Sequence, residues 1–288
     1  MLASLRVAFL LALLIPCLWS CEGEDEPAPA FLYLEEITVN TTTEQGSSRV
    51  RVPQGQLFVG EEYIGIVQLP GRVPVLQTGE QELRLDPLVR DNGSTGTLAL
   101  FPFYERITTT VNLEPLRVDT VQLETTYADN RTDFAFVESF DSPGILFSDD
   151  RDGNDQTAIV RVEDGALEGF SGRFTLTTDN DFIEVATPEA TPYAFANANA
   201  GVYLEMDFKS DIPFQVGLIG REAGLPAASQ YNYQLAARDE WTKIYLNLGP
   251  EVFASDFAAY QIGIRGALPE TETSASVYLD NIKLLRFR

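Results

Sequence analysis

The sequence predicts an all-β protein made of two successive β-sandwiches, and three observations predict it. Short runs rich in β-branched and aromatic residues recur along the chain, clusters of Gly, Pro, Asn and Asp separate them, and no segment sustains a 3.6-residue apolar period. A strand buries one face at most, so runs of this length need a second sheet to close a core.

The first sandwich is predicted over residues 33–126. Its opening strand is Leu34–Val39, followed by a Thr/Gly/Ser-rich turn region from Asn40 to Ser48. Further strands are predicted at Gln56–Val59, Tyr63–Gln68, Glu82–Leu85, Thr97–Phe101, Ile107–Leu113 and Val118–Leu123. Turn residues at Leu69-Pro70-Gly71, Thr78-Gly79 and Asp91-Asn92-Gly93 separate them. Residues 127–133 lack any period and read as a linker. Leu57-Phe58-Val59-Gly60-Glu61-Glu62-Tyr63-Ile64-Gly65, then Pro70, then Gly79-Glu80-Gln81-Glu82-Leu83-Arg84-Leu85 resembles the Ig-like repeats of PEGA or carboxypeptidase-regulatory type. That resemblance implies an Ig-like spacer with no catalytic residues of its own.

The second sandwich, residues 134–288, shows cleaner alternation. Phe134, Phe136, Glu138 and Phe140 open it. Val202, Leu204, Met206 and Phe208 share one face of a strand, while Tyr203, Glu205, Asp207 and Lys209 share the other. Phe214, Val216 and Leu218 repeat the pattern. Tyr231 and Tyr233 are predicted on one side of a further strand. Ile244, Leu246 and Leu248 turn inward, leaving Lys243, Tyr245 and Asn247 outward; Tyr260, Ile262 and Ile264 form another strand, and Ser276–Leu284 ends the fold. The acidic loop Asp149–Asp155 has Arg161 where an EF-hand would carry its bidentate Glu, so it reads as a solvated turn.

Three stretches of this half, Phe136-Val137-Glu138-Ser139-Phe140, Trp241-Thr242-Lys243-Ile244-Tyr245-Leu246 and Tyr278-Leu279-Asp280-Asn281-Ile282-Lys283-Leu284, resemble the galactose-binding-like jelly rolls that include many carbohydrate-binding modules. The resemblance implies a C-terminal jelly-roll β-sandwich whose first and last strands pair. It also implies a structural Ca²⁺ held by an acid of the first strand and the Asp of the last, here Glu138 and Asp280.

The N-terminus carries an address. Arg6 and the free amino group precede the apolar run Val7 to Ile15, which is too short to span a bilayer and reads as an export signal over residues 1–20. Leu18-Trp19-Ser20-Cys21 matches the lipobox of bacterial lipoproteins apart from the bulky Trp19, so Cys21 is the predicted acylated residue; Pro16 disfavours cleavage before Cys17. Residues 22–26 hold four acids in five positions. They read as a solvated tether reaching to residue 32, and they resemble the surface-export signal of Bacteroidota lipoproteins. Together these imply an outer-membrane protein, lipid-anchored and exposed at the cell surface. Asp119-Thr120-Val121 resembles the O-glycosylation acceptor of the same bacteria, with Thr120 as the modified residue.

Composition then excludes whole classes of function. A net charge of −23 repels nucleic acid and anionic lipid. Histidine is absent, which removes Ser/His/Asp and Cys/His nucleophilic machinery and His-ligated zinc. Acids are abundant, yet no motif singles out a pair for glycoside hydrolysis, so the chain reads as non-catalytic. Glycan recognition needs aromatic faces with amides and charges beside them. The outward residues Tyr203, Glu205, Gln215, Tyr245, Asn247 and Arg265 are the predicted set. The alternative is a protein-interaction subunit of an outer-membrane transport or assembly complex, docking through the same sandwich faces.

Overall fold

A computed structural model describes residues 27–93, 96–195, 201–255 and 257–288. The signal segment, Cys21 and the acidic run to Glu26 lie outside these residues. The fold is all-β, in two sandwiches.

The first sandwich comprises β1 (Ala30–Asn40), β2 (Gln54–Val59), β3 (Glu62–Gln68), β4 (Gly71–Val75), β5 (Gly79–Arg90), β6 (Leu98–Leu100), β7 (Ile107–Leu113) and β8 (Val118–Thr126). One sheet has the order β4-β1-β8; the other runs β3-β2-β5-β6, with β7 also on β5. Strands β1 and β8 run parallel, with a bulge between Leu34 and Ile37. Strand β4 has no counterpart in the sequence prediction, because Leu69-Pro70-Gly71 reads as a turn and Pro74 interrupts the short run behind it. It is an edge strand paired only to β1, where a residue without an N–H donor is tolerated.

The second sandwich comprises β9 (Thr132–Glu138), β10 (Asp149–Asp150), β11 (Val160–Val162), β12 (Ser171–Thr177), β13 (Phe182–Ala186), β14 (Val202–Ser210), β15 (Phe214–Arg221), β16 (Ala228–Leu235), β17 (Arg238–Asn247), β18 (Ala259–Ala267) and β19 (Ser274–Phe287), with the short helix α1 (Gly249–Ser255) after β17. Its inner sheet runs β11-β12-β19-β14-β17; its outer sheet runs β10-β13-β18-β15-β16. The opening strand β9 pairs with the closing strand β19, Glu138 opposite Ile282. The core lies between the sheets and is filled by Phe140, Phe174, Phe208, Phe214 and the predicted inward aliphatic residues.

The other face of the inner sheet is not in water. Tyr203, Tyr245 and Leu285 belong to the same apolar cluster as the core of the first sandwich, where Phe101 stands edge-on to Tyr203 and Tyr245 at 5.3 and 5.1 Å between ring centres. Residues 127–133 are no open tether either, since Tyr127 and Ala128 are buried.

Between these aromatics lies a buried polar cluster. Cross-strand register sets Glu205 opposite Lys283 and Tyr245, and Asp207 opposite Asp280 and Lys243. Lys243 Nζ is 3.3 Å from Glu205 Oε2 and 3.6 Å from Asp207 Oδ2. The first sandwich completes the set: Tyr127 donates its hydroxyl to Glu205 at 2.9 Å, and Arg49 Nε donates to Asp207 Oδ1 at 2.9 Å. Lys283 Nζ donates to the Ser47 carbonyl at 2.7 Å.

Glu205 and Asp207 have no exposed surface, so removing one cationic partner leaves a buried charge uncompensated. Lys243→Ala is therefore expected to cost about 3–5 kcal/mol in urea unfolding. Because both sandwiches contribute to the cluster, calorimetry on the wild-type chain is expected to give one cooperative transition; two resolved transitions would show independent units.

Candidate functional site

The six predicted glycan contacts do not share a face. Tyr203, Glu205, Tyr245 and Asn247 sit on the inner sheet, against the first sandwich. Tyr203, Glu205 and Tyr245 are buried, and Asn247 is held by Asn92 and Asp91. Their alternation is as predicted, but their outward side is covered, which corrects the expectation of a ligand surface there. Gln215 and Arg265 lie on the outer sheet, whose outer side stays open.

On that open side a polar row crosses four strands in register: Glu184 of β13 opposite Arg265 of β18, Arg265 opposite Gln215 of β15, and Gln215 opposite Gln234 of β16. At the ordinary spacing of strands the row is ~14 Å long. Arg265 Nε donates to Gln215 Oε1 at 2.8 Å, and Gln215 Nε2 donates to the Tyr231 carbonyl at 3.2 Å. Arg151 Nε donates to Glu184 Oε1 at 3.3 Å. These bonds orient the polar heads before any ligand arrives.

Tyr231 lies beside the row, and a bulge puts it there. The β15/β16 register shifts between Val216 and Leu218, so Tyr233 stays in the core while Tyr231 turns to the outer side, separating two residues that strict alternation would keep together. Its ring lies over glycines: a Cβ on Gly263 would meet the Tyr231 hydroxyl at 2.4 Å, and one on Gly217 would meet its Cδ1 at 2.8 Å. Arg265 stacks on this ring, its guanidinium carbon 4.3 Å from the ring centre. Burial, then the charge of Glu184, raises the Tyr231 phenol well above its usual range, which keeps it neutral. Phe182, 38% exposed, stands at the end of the sheet and lines a groove of about 410 Å³ with Gln215, Gln234 and Arg265. Tyr231 itself is buried, glycines against its ring and Arg265 stacked on it, so the exposed Phe182 ring, amides, a guanidinium and a carboxylate are what this open surface presents, a chemistry for binding a polyhydroxylated ligand.

No family model matches the sequence, and no curated protein matches it. Among solved structures, the chain is similar to a mutant of a family 29 carbohydrate-binding module at 11% identity, covering 55% of this chain and 86% of that one, with a TM-score of 0.32. A family 30 carbohydrate-binding module matches at 13% identity over 44% of this chain and 73% of that one, with a TM-score of 0.35. The family 11 module of a cellulosomal cellulase of Clostridium thermocellum matches at 16% identity over 51% and 93%, with a TM-score of 0.35. Overlaps this loose define no family, and the all-β assignment rests on the strands themselves.

The other predicted positions have local roles. Glu138 accepts from the backbone N–H of Phe140 at 2.8 Å and of Leu146 at 2.6 Å, so it caps the loop after β9. Asp280 accepts from the Ser171 hydroxyl and the Asn281 N–H, both at 2.7 Å. Each of the four carboxylate oxygens thus accepts one hydrogen bond from the chain, and the two residues sit on paired strands. In the Asp149–Asp155 loop, Asp150 and Asp152 accept from nearby backbone N–H groups. Thr120 is exposed on β8, and Val121 beside it is buried.

Burial, reinforced by the charge of Asp207, pushes the Asp280 carboxyl up from 3.8 to about 7. Between those values the folded chain keeps a proton that the unfolded chain has released, so this group lowers stability as pH rises from about 4 to 7. Burial lowers Lys283 from 10.5 to about 8, against the raising pull of Glu205. From pH 8 to 10.5 the unfolded chain holds the extra proton, so this group raises stability with pH. Asp280→Asn is expected to flatten the acid-side slope of melting temperature against pH. Chelation with EDTA is expected to leave that temperature unchanged, and a drop on chelation would show a bound metal.

Proposed function

We propose that this protein is a non-catalytic, lipid-anchored binding protein of the outer-membrane surface that takes neutral glycan on the outer sheet of its second sandwich. The observation that carries the reading is the oriented row Glu184, Arg265, Gln215 and Gln234, crossing four strands between the exposed Phe182 ring and the glycine-floored Tyr231. A sugar ring stacks its C–H face on an aromatic side chain while its hydroxyl groups pair with fixed amides and charges, and prior orientation lowers the entropy lost on binding.

The anchor supports the location. Val7 to Ile15 and the lipobox ending at Cys21 are an acylation signal, and each buried methylene of an acyl chain contributes about 0.8 kcal/mol to membrane affinity. The chain from Cys21 to the start of β1 at Ala30 reaches at most ~30 Å fully extended, which would keep the first sandwich near the membrane.

A separate observation favours the protein-interaction alternative. The edge strand β3 exposes Tyr63 and Ile66, each about half accessible, and its free edge can pair with another chain.

A glycan array on the mature chain is expected to return neutral polysaccharides. Affinity should fall about tenfold in Phe182→Ala or Arg265→Ala with the melting temperature retained, about 1.4 kcal/mol of binding. An empty array, with an envelope protein co-purifying through β3, would move the assignment to the interaction subunit. Cys21→Ala is expected to abolish acyl labelling and release the protein from the membrane fraction.

A further inference from the structure

A second opening lies between the two sandwiches, beside the buried ion cluster. It is a cleft of about 360 Å³, and three arginines line it: Arg51 and Arg90 from the first sandwich and Arg238 from the second. Among the described residues none of the three makes an ion pair, whereas the neighbouring Arg49 and Lys243 are matched to Asp207 and Glu205. Arg90 Nε is buried with no hydrogen-bond partner. Asp239 and Glu240 are the acids of the lining, both exposed.

Three arginines without an ion pair line one cavity, and an anion seated there would gain charge-assisted hydrogen bonds that the chain itself does not supply. The planar fork of arginine suits the two or three equivalent oxygens of a carboxylate or sulfate. Neutral groups stand beside them: Asn92, whose Oδ1 accepts from Asn247 at 2.8 Å and leaves its amide hydrogens free, and the exposed Gln234. Gln234 also lines the outer-sheet groove, so the two openings share one residue.

We propose that this cleft is an oxyanion site, built for the carboxylate or sulfate ester of an acidic sugar. The inference stands apart from the neutral-glycan reading, because it rests on the unpaired arginines and not on the aromatic face.

The test is calorimetric titration of the mature chain with sodium glucuronate, glucose 6-sulfate and glucose, at low and at moderate salt. One or both charged sugars are expected to bind more tightly than glucose, through a component that depends on the three arginines; which of them gains it tells carboxylate from sulfate, and added salt is expected to weaken that component. Arg51→Gln and Arg238→Gln, both at exposed positions and checked by thermal melts, are expected to weaken it about tenfold each, and Arg90→Gln to remove it. Arg265→Ala is expected to leave it unchanged. Charged sugars behaving like glucose, or a component that survives all three arginine changes or falls equally with Arg265→Ala, would overturn the oxyanion site. None of those results touches neutral binding on the outer sheet.

Discussion

The pairing of Lys243 with Glu205 and Asp207, buried under Tyr127 and Arg49 of the first sandwich, joins the two halves of the chain. Charges out of water are tolerated only when each finds a partner in good geometry. Here the partners come from strands far apart in sequence, so the cluster is complete only with both sandwiches docked. Around it Phe101, Tyr203 and Tyr245 supply the apolar burial that excludes water and strengthens the ion pairs inside. A spacer carrying an independent module would need none of this.

Docking also decides which surfaces remain for binding. It covers the polar side of the inner sheet and leaves the outer sheet open, where Arg265 and Gln215 are held by each other and by the backbone of Tyr231. It creates the arginine-lined cleft as well, since Arg51 and Arg238 come from different sandwiches. The net charge of −23 repels anions from most of the surface, so a cluster of arginines at this junction stands out against it.

Much of the fold is legible residue by residue. Ile107–Leu113 appears with its predicted bounds, and Val202 to Phe208 alternate as expected. The departures have local physical causes. Strand β4 hides behind Pro70, in the turn before it, and Pro74, which an edge position tolerates. Helix α1 spans only seven residues, too few for its period to show. The bulge at Gly217 turns Tyr231 away from Tyr233, and only the glycines on the neighbouring strands leave room for its ring. Gly217 and Gly263 in adjacent strands were the one signal in the sequence that an aromatic ring lies close against this sheet.

The chain by itself determined the β class, the alternation of side chains along most strands and the absence of histidine chemistry. These follow from period, composition and short motifs, which act over a few residues. Which of two alternating faces meets water is a different kind of fact. Tyr203, Glu205 and Tyr245 carry the same pattern as a solvated row, and only the arrival of Tyr127, Phe101 and Arg49 from the other sandwich makes that row an interior. Solvent exposure is set by what packs opposite, here at separations of 78 to 158 residues, and no local period encodes it.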